Sequence, residues 1–293
     1  MLSSHFQTRL PLEVSRWRRL LNHLVTAAAG STVIIVLLPL VAIFGYLLYR
    51  GLGAVNLAFL TQTPKPVGEP GGGMANAIIG SGVILGIATA LGVPLGIGAG
   101  IYLAEYGRGW PRLAIRFTAD VLNGVPSIVV GIFVYSLIVL QQRHFSALAG
   151  GVALGIMMVP TITRSTEEIL LLVPQPIREG ALALGIPQWR TTLSVVLRSA
   201  TSGVITGIML AFARVAGETA PLLFTAFGNQ YWNLKLNQPT AALPLQIFTY
   251  AISPFDEWHR QAWAGALVLI VLIVATVAVV RIVAARGLVR GTH

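Results

Sequence analysis

The chain has 293 residues, of which 55% are hydrophobic and only 10% are charged, where an ordinary globular domain carries about 25% charge. So few charges cannot wet the surface of a soluble fold of this length, which excludes disorder, coiled coil and the common soluble enzyme classes and makes the bilayer the solvent. The net charge of +10 is scattered along the chain on 18 arginines and two lysines, a pattern that argues against nucleic acid, and zero cysteines remove disulfides, thiolate metal sites and a cysteine nucleophile.

Six stretches approach the 20 or so apolar residues that a helix needs to cross the hydrocarbon core: 27–49, 77–104, 119–140, 147–163, 200–227 and 262–284. They predict an all-α membrane protein with six transmembrane helices. The first follows an arginine-bearing segment, Arg9 to Arg19, yet its apolar run is longer than the roughly 7–15 residues of a signal h-region, so it reads as an uncleaved anchor. Between the first two spans, Pro64, Pro66 and Glu69-Pro70-Gly71-Gly72-Gly73 make a loop that cannot continue a helix. Within the spans, glycines recur every fourth residue: Gly82 and Gly86; Gly92, Gly96 and Gly100; Gly151 and Gly155; Gly203 and Gly207. That spacing lets helix backbones approach where no hydrophobic effect drives them together, and it predicts a packed bundle. Pro94, Pro126 and Pro221 fall inside spans, where the freed backbone groups need a neighbouring helix or a polar cavity.

Positive charge is retained on the cytoplasmic side. The N-terminal segment, the loops after the second and fourth spans and the tail together hold 14 lysines and arginines, the alternate loops hold five, and Arg214 lies inside a span. Both termini are therefore expected in the cytoplasm. The last external loop carries Tyr231, Trp232, Tyr250, Phe255 and Trp258, which fits an interfacial aromatic belt or a docking surface.

The longest internal loop, 164–198, is not a simple linker. Ser165 followed by Glu168 reads as a capping box opening a short helix that stops near Pro174. A second short helix is expected from Pro176 to about Gly185, with Pro187 beyond it. Arg214 and Glu218, four apart in an apolar span, are expected on one helical face, where they can pair. Each costs about 2.5–3.5 kcal/mol at a helix centre, which leaves two readings, a structural ion pair or a place on a substrate path. Catalytic signatures are missing. Lys65 follows Pro64 and Lys235 follows Leu234, so neither closes a P-loop, no serine sits in a nucleophile elbow, and the histidines show no ligand spacing.

The loop residues resemble the cytoplasmic signature of ABC importer permeases. Glu179-Gly180-Ala181 is followed after three residues by Gly185 and after nine more by Val195-Val196-Leu197-Arg198; Gly180 stands in place of an alanine and Arg198 in place of a proline. The segments ARVAGETAPLLF (213–224), GIYLAEYG (100–107), VPSIVVG (125–131) and EPGGG-ANA (69–77) resemble the PstA-type permease of the phosphate-specific importer, from about residue 45 to 285.

That resemblance implies a type I ABC importer permease fold: a cytoplasmic segment 1–26, an anchor 27–50, a core 75–286 with a coupling loop 164–198, and a tail 287–293. It implies a multi-pass protein of the bacterial inner membrane, non-catalytic and without a cofactor of its own. ATP and Mg belong to a partner ATPase. The implied partners are a PstC-type permease, two PstB-type ATPases and an external PstS-type phosphate-binding protein. Glu179, Gly180, Ala181 and Gly185 would couple to the ATPase. Arg214, Glu218 and Thr219 would lie on the substrate path, with Glu105, Asp120, Asn123 and Ser127 as further polar candidates. A sulfate or molybdate permease would share these features, whereas a channel or secondary transporter would need no coupling helix.

Overall fold

The computed structural model describes residues 16–66, 69 and 71–290, with side chains to 284. Arg9, Pro70, the side chains of Arg286 and Arg290, and residues 291–293 lie outside the described residues. The chain divides into two units, Met1–Tyr49 and Arg50–His293. The described part of the first is the body of a long apolar helix, α1 (Arg16–Gly51).

The second unit runs through α2 (Leu57–Thr61), α3 (Ala75–Ile101), α4 (Gly109–Gly124), α5 (Ser127–Val134), α6 (Leu140–Gln142), α7 (Ala147–Leu171), α8 (Gln175–Ala183), α9 (Gln188–Thr191), α10 (Leu197–Ala216), α11 (Ala220–Thr225), α12 (Leu243–Ala251) and α13 (Asp256–Arg290). Three π-turns, Tyr102–Tyr106, Tyr135–Val139 and Thr192–Val196, extend α3, join α5 to α6, and join α9 to α10. Among the described residues five helices are long and apolar enough to cross a membrane, and α4 with the α5–α6 segment makes a sixth if that bent pair counts as one span. On α1 and α13, Ile34, Ile35, Val271 and Val274 stand exposed, as helices solvated by lipid do.

The core is a seam between α3 and α7. Gly92, Gly96 and Gly100 on α3 face Met158, Ile162 and Thr166 on α7, so closely that a Cβ at Gly100 would sit 2.5 Å from the Thr166 Cβ. Gly151 meets Ile87 in the same way, and Gly203 and Gly207 on α10 meet Ile169 and Ser165. The expected small-residue packing therefore holds along these rows. Gly82 and Gly86 differ, because nothing of this chain lies within 4 Å of their added Cβ.

Both ends of α7 are tied. Ser146 caps its first turn through Oγ to Ala149 N at 3.1 Å. The N–H groups of Ser146, Ala147 and Leu148 donate to the carbonyls of Thr225, Gln238 and Leu236 at 2.9–3.1 Å. The expected capping box at Ser165 is not formed. α7 runs unbroken to Leu171, and the Ser165 hydroxyl donates back to Thr161 O at 2.9 Å inside it. Ser/Thr-x-x-Glu starts a helix only where the chain enters from an extended segment, and here a turn already helical, Thr161 to Arg164, precedes it.

The aromatic loop is split. Tyr231 and Trp232 are exposed, but Tyr250 is buried and stacked on Trp258, ring centroids 4.5 Å apart. Tyr250 is thus a core residue rather than part of a belt.

Candidate translocation site

Two expected spans are broken. The third, expected over 119–140, is two pieces, α4 and α5–α6, at 104° to each other. Val125 precedes a proline, which pushes it out of helical geometry to φ −68°, ψ 130°, and Pro126 then serves as N-cap of α5. The fifth, expected over 200–227, ends at Ala216 with Gly217 as its cap, and α11 begins anew with Pro221 in its first turn. Of the three prolines expected inside spans, only Pro94 lies in the interior of a helix. The other two stand at helix starts, where the missing N–H costs nothing.

The two breaks meet. A Cβ on Gly131 of α5 would lie 2.7 Å from the Cα of Pro221 of α11, so two segments about ninety residues apart in sequence pack backbone against backbone. Arg214 sits in the last turn of α10 and is exposed; Glu218 and Thr219 lie beyond the helix end, half-buried. The expected Arg214–Glu218 pair on one helical face is therefore corrected. The helix stops between them, and among the described residues no hydrogen bond or ion pair joins them. The Thr219 hydroxyl points to Pro244 O at 3.5 Å.

The four further candidates do not gather around Arg214. Asn123, at the end of α4, accepts a bond from Thr161 Oγ1 at 3.1 Å, and Ser127 starts α5 half-buried. Asp120 pairs with Arg164 at 3.1 Å. Glu105 lies in the π-turn after α3, paired with Arg178 at 2.8 Å.

Arg164 belongs to a cluster that sequence reasoning missed. Its centre is Glu167 on α7, with a side chain only 1% exposed, bonded to Arg116 and to Arg164 (2.8 Å) and 3.7 Å from Arg112. Arg112, Arg116 and Asp120 recur every fourth residue on α4, so one face of that amphipathic helix is clamped to α7. The opposite face exposes Trp110, Leu113 and Phe117. That fourfold spacing was the available signal. Among the described residues no group of His, Asp or Glu is arranged to hold a metal ion.

The short helix expected at 176–185 is present as α8. Ala181 is buried, whereas Glu179, Gly180 and Gly185 are exposed. Gly185 adopts φ +78° and closes the helix by donating to Leu182 O at 2.9 Å, a conformation that favours glycine. Around it Leu182, Leu184 and Trp189 stand exposed, Leu184 at 81%. They form an exposed apolar patch at and just past the end of a nine-residue helix that is too short to span a membrane.

Apolar helices of membrane-spanning length, some of them broken, with a short exposed helix between two of them, define a polytopic transport subunit. Residues 92–288 match the family described as binding-protein-dependent transport system inner membrane component, and the chain belongs to that family. It is 45% identical over 271 residues to the phosphate transport system permease protein PstA of Yersinia pestis, covering 92% of both chains. It is 50% identical over 230 residues to the PstA protein of Xylella fastidiosa strain 9a5c, covering 78% of this chain and 79% of that one. With PstA 1 of Mycobacterium tuberculosis strain H37Rv it shares 38% over 278 residues, 92% of this chain and 90% of that one. Among solved structures, an inward-facing MetNI methionine ABC transporter chain superposes with a TM-score of 0.57 at 17% identity, over 75% of this chain and 98% of that one. That likeness establishes the fold alone.

Proposed function

We propose that this chain is the PstA-type permease of an ATP-driven importer of inorganic phosphate. It sits in the bacterial cytoplasmic membrane with both termini inside, as the arginine distribution requires. A second, PstC-type permease completes the pathway, two PstB-type ATPases hold ATP and Mg2+, and an external PstS-type protein delivers phosphate. The observation that carries the reading is the 45% identity with the Yersinia pestis PstA protein over 92% of each chain.

In this scheme the core 75–286, preceded by the 27–50 anchor, forms half of the pathway, and loop 164–198 meets the ATPase. Glu179, Gly180, Ala181 and Gly185 form the docking helix, and the exposed Leu182, Leu184 and Trp189 give it apolar area to bury. Arg214 presents a fixed positive charge at the end of α10, where the helix dipole also favours a cation. Its planar fork matches two oxygens of a phosphate. Thr219 adds a hydroxyl, and Glu218 lies beside it just past the end of α10.

The test is uptake of labelled phosphate into proteoliposomes holding both permeases, the ATPases and the binding protein. Arg214→Gln should abolish uptake while the complex still assembles and hydrolyses ATP. Transport at the parental rate by that variant would remove Arg214 from the path. Sulfate and molybdate should not compete with phosphate, and competition by either would overturn the choice of anion.

A further inference from the structure

The guanidinium of Arg178 is the point where three elements meet. Arg178 belongs to α8, yet its side chain is 13% exposed and lies against a carboxylate that is only 9% exposed, Glu105. Nη2 and Nε donate to Glu105 Oε1 at 2.8 and 3.1 Å. Nη2 also donates to Leu170 O at 2.7 Å, and Nη1 donates to Val173 O. Leu170 lies in the final turn of α7 and Val173 just past it, where backbone carbonyls lack a helical partner. One side chain therefore ties the short helix to the π-turn that ends α3 and to the end of α7.

The surroundings make this tie a joint rather than a simple staple. Glu105 sits inside the Tyr102–Tyr106 π-turn, and its backbone carbonyl accepts a bond from Gln188 at the start of α9 at 3.3 Å. Tyr106 OH donates to Thr192 Oγ1 at 3.4 Å, at the head of the third π-turn, Thr192–Val196. A π-turn carries one residue more than the α-helix allows, interrupts the regular ladder of backbone bonds, and recurs at functional sites. α3 and α10 thus each reach α8 through such a turn. α8 itself keeps Glu179, Gly180 and Gly185 free on its outer side.

We infer that Arg178 and Glu105 form the strut through which movement of α8 reaches α3 and α7, so that they position the docking helix rather than touch the transported anion. The strut rests on the reading of the chain as a permease driven by a separate ATPase. Glu105, a path candidate by sequence, acts instead at the joint. Arginine is required at 178, because a lysine ammonium has no planar fork to hold a carboxylate and two carbonyls at once.

The experiment uses the reconstituted four-subunit transporter and reads the stimulation of ATP hydrolysis by phosphate-loaded binding protein, together with labelled phosphate taken up per ATP hydrolysed. Arg178→Gln should assemble in normal yield and hydrolyse ATP at the basal rate. Its stimulation should fall about fivefold or more, the lower bound of usual site-to-site coupling. Glu105→Gln, whose amide oxygen still accepts from the guanidinium, should show a smaller fall, and the double variant should be no worse than Arg178→Gln alone, as for two parts of one device. Arg108→Gln, on an exposed arginine just past the π-turn, should match the parent.

Parental stimulation in an intact Arg178→Gln complex would overturn the inference, and so would a double variant whose loss is the product of the two single losses. If Arg178→Gln fails to assemble, Glu105→Gln decides alone: undiminished stimulation rejects the strut, and a reduced ratio at full yield upholds it. A parental complex that takes up no phosphate would instead defeat the underlying functional reading.

Discussion

The α3–α7 seam and the paired breaks at 124–126 and 217–219 use glycine and proline for opposite ends. In the seam, glycines lie on one row of an unbroken helix and let α3 and α7 touch at Gly92, Gly96 and Gly100. At the breaks, Gly124 with Pro126 and Gly217 with Pro221 stop one helix and start another. The seam carries no charged side chain in its contact row. The breaks carry Arg214 and Glu218 beside backbone groups released from helical bonding, which only a polar cavity or protein can satisfy within a membrane. Small residues on an intact helix make scaffold, and the same residues near a proline end one helix and open another.

The heaviest blow to this division falls where α4, the first half of one broken pair, is held against α7. Glu167→Leu would remove the buried carboxylate shared by Arg112, Arg116 and Arg164. Breaking a buried pair costs about 3–5 kcal/mol, and about 3 is expected because each arginine keeps roughly a third of its side chain in water. The thermal midpoint of the detergent-solubilised complex should drop and α4 become open to proteolysis. An unchanged midpoint would mean that α4 is held by its apolar contacts alone.

Next comes the seam. Gly100→Leu forces a side chain against Thr166 Cβ at 2.5 Å and Thr163 O at 2.8 Å, and overpacking of this kind costs about 1–3 kcal/mol. Gly82→Leu has open space around it within this chain and should leave the midpoint unchanged for the isolated subunit. Equal losses at both positions would erase the distinction between a packed and an open glycine row.

The smallest stability effect belongs to the breaks. Pro221→Ala restores an N–H at a position whose helical partner is missing anyway, so the midpoint should move by less than about 1 kcal/mol. Phosphate uptake should fall further than stability, because α11 and its contact with Gly131 lose their fixed entry angle. Uptake that tracks the midpoint would place the breaks among ordinary packing features.

Most of the bundle was legible in the sequence, because lipid-length apolar runs and fourfold glycine rows are local patterns. The ends of the helices were not. A span-length apolar window averages over Gly124-Val125-Pro126 and over Gly217-Glu218-Thr219, so it runs through both breaks as if each lay in one helix. A glycine followed within four residues by a proline, Gly124 by Pro126 and Gly217 by Pro221, was the available sign of each break. The motif around Arg214 marked the right segment but gave the wrong geometry for Glu218. Glu167 was obscured by its neighbour Glu168, which fitted a capping pattern. Glu105 and Arg178 are 73 positions apart, and nothing in either local sequence announces the other.

The tied ends of α7 have a consequence for how the bundle can move. An ordinary helix frays, and its terminal amides exchange with solvent first. Here the opening N–H groups are taken by Thr225, Gln238 and Leu236, and the closing carbonyls at Leu170 and Val173 are taken by Arg178. Such a rod cannot yield by unwinding a turn at either tip, so displacement at one end arrives at the other unless it is absorbed in the middle. The weak point available there is Pro160, where the backbone ladder lacks a bond. Deuterium uptake along α7 should therefore be fastest near its centre and slow at both tips, the reverse of the usual profile.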